Sequence, residues 1–264
     1  MKEKMVDPEL WRLISAYLFI LMLLFIVKWR GIKREKTILI ATARMSIQLI
    51  LVGYLLTLIF KHPIPFVTLL IVLLMETFAI FNIYKQAGGF LSKKLKISIA
   101  VSMLSGSLLS LFFFNMVVIH FQPWYEPRYF IPIAGMIIGN SMTGITLGVK
   151  NLLEGMKKQK QYVEGALMLG AKPEEASRSI VNSAFDSAIL PTLNNMLGMG
   201  IVFLPGMMTG QILAGASPLV AIEYQLVVLL GITGSTALCV ILFIQLGTKQ
   251  FFNEKAQLVL KNGE

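Results

Sequence analysis

Apolar stretches of roughly 17 to 28 residues recur along this chain, and they constrain its fold more than any other feature. Runs of that length match the thickness of a bilayer crossed by an α-helix. Lipid offers no hydrogen bonds to a bare backbone, so a spanning segment has to satisfy its own amides and carbonyls, as a helix does. The runs lie at about 10–27, 37–60, 64–84, 97–121, 130–149, 187–214 and 219–246. Composition agrees: 56% of the residues are hydrophobic and 14% are charged, where a soluble domain carries about a quarter charged residues. The expected fold class is all-α, a polytopic transmembrane helical bundle of about seven spans. It fills one domain, 1–264, and leaves no room for a separate soluble domain. The first run is read as a retained span. Lys2 and Lys4 are mixed with Glu3, Asp7 and Glu9 before it, and Trp29-Arg30-Gly31 follows it instead of a small-residue cleavage site.

The formal net charge is +10, but the basic residues sit in short loops, which points to membrane topology and not to nucleic acid. Lys28, Arg30, Lys33, Arg34 and Lys36 follow the first span, Lys85, Lys93, Lys94 and Lys96 the third, and Lys150, Lys157, Lys158, Lys160, Lys172 and Arg178 the fifth. The tail adds Lys249, Lys255 and Lys261. The opposite side has Lys2, Lys4, Arg12, Lys61 and Arg128. Positive loops stay inside, so the N-terminus is expected outside and the C-terminus in the cytoplasm of a cell (inner) membrane. Trp11 and Trp29 bracket the first span, and Trp124 lies in an outer loop beside Tyr125 and Tyr129, where amphipathic rings suit the headgroup level.

Between the fifth and sixth runs lies a polar interruption, about 151–186. Leu152, Leu153, Met156, Val163, Ala166 and Leu167 recur at helical spacing, predicting a helix over about 151–169. Gly170 can end it in the left-handed cap conformation, and Pro173 suits the first position of a second helix. Glu174 and Glu175 then fall in a first turn that favours anions, with Arg178 four residues beyond Glu174. Ala176, Ile180, Ala184 and Ala188 make one apolar line, and Glu175, Arg178, Asn182 and Asp186 the opposite face. The reading is a cytoplasmic helix-turn-helix. It is either a water-exposed linker or a coupling element that rides on a partner protein.

Charged residues within spans mark candidate pathway positions. Arg44, Glu76 and Glu223 each cost about 2.5–3.5 kcal/mol at mid-bilayer on insertion scales, so they should face the bundle interior or a wet cavity. Glu76 is the most central, either as a cation contact or as a structural partner of Arg44. Asn140 and Gln211 are polar positions that could line the same path or simply bond between helices. Pro205-Gly206 interrupts the sixth run, and Gly206–Gly210 and Gly135–Gly139 have the spacing that lets helices approach closely, within the chain or across a dimer seam. The single cysteine, Cys239, excludes an intrachain disulfide and any paired-cysteine metal site. His62 and His120, both at outer span ends, are the candidate metal contacts, with ordinary interfacial histidines as the plain alternative. No catalytic set is visible, so no enzymatic activity is assigned to this chain. No G-x-x-x-x-G-K-[ST] phosphate loop occurs in it either.

The segments "EGALMLGAKPEEA", "GNSMTGITLGVKNLLEGMKK" and "LPTLNNMLGMGIVFLPGMMTGQILAGASPLVAIEYQ" resemble the FetB-type permeases, a family of bacterial iron exporters related to a plant aluminium-tolerance ABC half-transporter. The resemblance covers essentially the whole chain. Glu164, Gly165, Ala166 and Gly170 also match the Glu-Ala-Ala loop of ABC permeases, with Gly165 in place of the first alanine and Leu190-Pro191 about eight residues late. It implies an inner-membrane permease homodimer that binds no cofactor itself and works with a separate ABC ATP-binding subunit carrying ATP and magnesium. Glu164, Gly165, Ala166, Gly170, Ala171, Pro173 and Glu174 would form the coupling contact. Iron or another metal ion is the implied cargo. Export of a nucleotide sugar such as UDP-glucose, and an ATP-independent secondary transporter or channel, stay open as alternatives.

Overall fold

The computed structural model describes residues 10–88, 91–120 and 122–260; Lys2, Lys4 and Lys261, used in the charge argument, lie outside them. Regular structure among the described residues is helical, apart from the isolated bridges Met199–Phe203 and Phe252–Leu258. The chain divides into two compact units, residues 1–63 with 213–215, and residues 64–212 with 216–264.

The first unit holds α1 (Leu10–Ala16), α2 (Leu18–Trp29) and α3 (Glu35–Lys61). Tyr17 separates α1 from α2, and its hydroxyl lies 2.6 Å from Ser46 Oγ on α3. Thr42, Ser46 and Thr57 donate to carbonyls four residues back, which satisfies hydroxyls that lipid cannot solvate. Leu39, Ile40, Ile47, Leu51 and many neighbours are exposed, a surface suited to acyl chains and costly in water.

The second unit holds α4 (Pro65–Ala87), α5 (Lys93–Phe113) with a π-helical extension Phe114–Ile119, α6 (Pro127–Lys158), α7 (Lys160–Met168), α8 (Pro173–Ala176), α9 (Arg178–Gly198), α10 (Gly206–Leu213) up to its last residue, and α11 (Pro218–Lys249). Proline opens α4, α6, α8 and α11, where its missing N–H costs nothing, and Ser92 Oγ caps α5 by accepting from Leu95 N–H at 3.1 Å. The central helix is α6, packed on α4, α5, α9 and α11. Small residues permit this. A Cβ at Gly144 would come within 2.8 Å of Thr236 on α11, and one at Gly148 within 3.5 Å of Ala188 on α9. Ile137, Ile145, Val149, Leu152, Met156 and Phe243 fill the centre.

Six helices among the described residues are long and apolar enough to cross a membrane: Trp11–Trp29, Glu35–Lys61, Pro65–Ala87, Lys93–Ile119, Pro127–Lys158 and Pro218–Lys249. The protein is a polytopic helical membrane protein. The run 187–214, expected as the sixth of seven spans, is not one helix. Its first part belongs to α9, which passes through Pro191 and stops at Gly198. The expected break at Pro205-Gly206 therefore starts earlier. Gly200 turns the chain with φ +81° and its N–H meets the Phe203 carbonyl at 3.0 Å, while Gly198 admits the Phe203 ring, which a Cβ would meet at 2.9 Å. Pro205 then accepts from Thr209 N–H at 2.9 Å and starts the short α10.

Candidate functional site: an exposed elbow and a buried polar network

The expected helix-turn-helix is built from parts of four helices, not two: the end of α6, α7, α8 and the start of α9. The predicted helix over 151–169 is the end of α6 plus α7, with Gln159 between them donating its N–H to the Gly155 carbonyl at 2.9 Å. Beyond Met168 the backbone closes a reciprocal pair of turn bonds. Ala171 N–H reaches the Ala166 carbonyl at 3.0 Å and Gly170 N–H the Leu167 carbonyl at 3.0 Å. That pairing requires a left-handed residue, and Gly170 sits at φ +91°. Pro173 then opens α8, and Glu175 Oε2 accepts from Lys172 N–H at 3.1 Å, the acidic half of a capping box. Ser177 ends this single turn, donating its hydroxyl to the Pro173 carbonyl at 2.7 Å, and α9 begins at Arg178. Because Ser177 breaks the helix, Glu174 and Arg178 do not form the expected ion pair among the described residues. Glu164 instead pairs with Lys160 at 3.7 Å on α7.

The apolar line Ala176, Ile180, Ala184 and Ala188 is buried, and Glu175, Arg178, Asn182 and Asp186 are exposed on the other face. Gly155 lets Ile180 pack onto α6; a Cβ there would come within 2.5 Å of the Ile180 side chain. Val163 anchors α7, while Glu164, Gly165 and Ala166 are half-buried. A Cβ at Gly165 would meet open space, so packing does not demand the glycine that stands in the family's alanine position. At the tip, Met168 is 83% and Leu169 91% exposed. Residue-by-residue hydropathy places such side chains inside. The available signal was their position: two large apolar residues before a capping glycine in a charged segment.

The second candidate lies inside the α4–α5–α6–α11 packing. Glu76 is wholly buried and accepts from Ser107 Oγ on α5. Ser107 has one proton for two acceptors, since its hydroxyl also lies 2.6 Å from the Met103 carbonyl. On the α11 side, Ser235 Oγ lies 3.3 Å from Ser141 Oγ of α6, and Cys239, one turn further along α11, is wholly buried. Gly106, beside Ser107, faces Cys239 directly. Glu76 Oε2 and Thr236 Oγ1 are buried with no partner, so these buried polar contacts, one between α4 and α5 and one between α6 and α11, are incompletely satisfied. Sequence reading found Glu76 alone. Ser107, Ser141, Ser235 and Cys239 gave no distinguishing signal beyond Ser235 and Cys239 sharing a helix face.

The other expected pathway residues do not join these contacts. Asn140 Nδ2 donates to the Met136 carbonyl of its own helix at 2.8 Å. Gln211 lies on α10 with a buried, unpartnered Oε1, and Glu223 is exposed in the second turn of α11. Arg44 lies on α3, in the first unit. His62 ends α3 in the first unit, whereas His120 ends the π-helical turn of the second at φ +56°, with Nδ1 3.2 Å from the Met116 carbonyl. Among the described residues no three or more His, Cys, Asp or Glu side chains assemble into a metal cluster. Gly135 approaches Met75 on α4, 3.1 Å from a built Cβ, whereas Gly139, Gly206 and Gly210 have nothing within 4 Å.

Residues 10–252 match the sequence profile of a family described as Uncharacterised protein family (UPF0014). The UPF0014 membrane protein YjkA of Bacillus subtilis is 39% identical over 232 residues, 86% of this chain and 89% of that protein. The "Probable iron export permease protein FetB" of Escherichia coli is 35% identical, covering 86% of this chain and 85% of its own length. "Protein ALUMINUM SENSITIVE 3" of Arabidopsis thaliana is 32% identical, covering 92% and 88%. No solved structure matches the chain.

Proposed function

The chain belongs to the UPF0014 family, and on that premise we propose that it is the membrane permease subunit of an ATP-driven exporter of iron or another metal ion. Its relative in Escherichia coli is named a probable iron export permease, and that name supports the cargo class. The observation that carries the reading is the tip of the elbow. Met168 and Leu169 are apolar, almost fully exposed, and flanked by Lys157, Lys158, Lys160, Glu174 and Glu175, so they lie in water and not in lipid. Exposed apolar side chains on a fixed turn are the shape of a knob that fits a pocket on another protein. A separate ATP-binding subunit is the partner of choice, because this sequence has no phosphate loop of its own.

In this scheme α7 and α8 dock on the ATPase in the cytoplasm. Closure of that subunit displaces the elbow, and the contact of Ile180 with Gly155 passes the motion to α6. Two copies of the chain assemble, with the open faces of Gly206 and Gly210 available for close approach. Glu76 contacts the cation as it passes. The decisive experiment co-expresses and co-purifies the chain with an ABC ATP-binding subunit from the same cell and measures ATP-dependent ferrous iron uptake into inverted vesicles. Association and iron uptake by wild type, with both lost in Met168→Asp/Leu169→Asp, is the expected result. Uptake without ATP and without an ATPase would instead make the carboxyl of Glu76 the ion-coupled group of a secondary transporter. Nucleotide-sugar uptake in place of iron would change the cargo and leave the motor in place.

A further inference from the structure

The lysine-rich end of the second unit contains a cavity of about 380 Å3, between the start of α5, the end of α6 and the segment after α11. Its lining is two-sided: Leu95, Leu153 and Leu260 contribute apolar wall, and Lys93, Lys94 and Lys157 contribute cations. Among the described residues, no Asp or Glu lines it. Glu154, next to Leu153 in the chain, is paired with Lys158 at 3.0 Å. The third wall is held in place by its own bonds. Phe251 is buried, Val259 N–H donates to the Phe251 carbonyl at 2.7 Å, and Asn253 Oδ1 accepts from the Lys255 and Gln257 amides at 3.0 and 2.9 Å. Lys93 opens a helix long and apolar enough to cross the bilayer, so the cavity lies where hydrocarbon meets headgroups.

We propose that this cavity binds an anionic phosphate, with the headgroup of an anionic phospholipid as the source its apolar wall favours. The phosphate sits at Lys93 and Lys94, and the glycerol and first acyl carbons lie on Leu95, Leu153 and Leu260. Lysines that served only to orient the chain in the membrane would need neither a cavity nor an apolar wall. A basic pocket between helices at the membrane surface is the arrangement that holds acidic headgroups. Free phosphate offers the same anion without the tail, so the test has to separate the two.

The full chain is purified in mild detergent and offered an equimolar mixture of phosphatidylglycerol and phosphatidylcholine, and retained lipid is counted by native mass spectrometry. Phosphatidylcholine carries the same phosphate but its choline cancels the charge. Wild type is expected to retain phosphatidylglycerol at least tenfold over phosphatidylcholine, and Lys93→Gln/Lys94→Gln to lose that preference. Val259→Trp keeps every charge and fills the cavity from an exposed position at its mouth; Leu153→Trp fills it from the opposite wall. Both are expected to lower retention at least fivefold. If millimolar inorganic phosphate displaces the lipid, the anion site stands and a soluble phosphate is its ligand; if it does not, the lipid is. Equal retention of the two lipids by wild type, or undiminished retention in the folded tryptophan variants, overturns the proposal.

Discussion

Glu76 presents a carboxyl with no exposed surface, one oxygen on Ser107 and the other without a partner. Such a group is costly in a bundle interior, and function is the ordinary reason to keep one there. Glu76→Gln is expected to lower cation transport at least tenfold while the ATPase still co-purifies; undiminished uptake would reduce the residue to a packing role. Two glycines of the elbow give opposite expectations. Gly170→Ala forces a Cβ into φ +91° and should destabilise the turn by about 1–2 kcal/mol. Gly165→Ala meets open space inside α7 and should stabilise that helix by up to about 1 kcal/mol. Hydrogen exchange of the α7 amides reads both: faster in the first variant, slower in the second. The capping role of Gly170 and the opening role of Pro173 were legible in the sequence, because both follow from local backbone chemistry. The serines around Cys239 were not. A hydroxyl on a membrane helix usually bonds back to its own helix, and only the register between helices decides which one reaches across.

At the scale of elements, α6 and α9 meet through Gly155 and Ile180. Gly155→Val should overpack that contact and cost about 1–3 kcal/mol, with Ile180→Ala restoring much of it in the double variant. Thermal unfolding in detergent measures the cycle, and simple additivity of the two losses would mean the contact is not the one that matters. The apolar line of α9 was legible from its four-residue spacing. The end of α9 was not. A hydropathy window runs through Gly198 to Leu213 without pause, whereas the chain turns back because the Phe203 ring fits only against a glycine. Proline was the visible breaker, and it marks where the next helix starts, not where the last one stops.

At the scale of the molecule, long apolar helices and a bias of lysines to one side were both readable, since each is a property of composition along the chain. The proposed partner contact was harder to read, because the residues that protrude at the tip of the elbow, Met168 and Leu169, look like core residues to any scale of hydrophobicity. The charge bias makes a topology prediction. In a Cys239→Ser background, Leu169→Cys should react with an impermeant maleimide only from the cytoplasmic side and Trp124→Cys only from the outer side. Reversed labelling would invert the orientation and detach the elbow from any cytoplasmic motor.

Cys239 has one more use. It is the chain's one thiol, it is fully buried where α11 packs on α5, and nothing need be engineered to watch it. A small thiol reagent can reach it only when those helices part, so its labelling rate is a clock for that opening. With the ATPase bound, the rate should rise on nucleotide addition if the motor's stroke arrives at the centre of the bundle, and stay flat if it is absorbed at the elbow. The native sequence thus carries its own stopwatch for the step at which work done in the cytoplasm reaches the membrane interior.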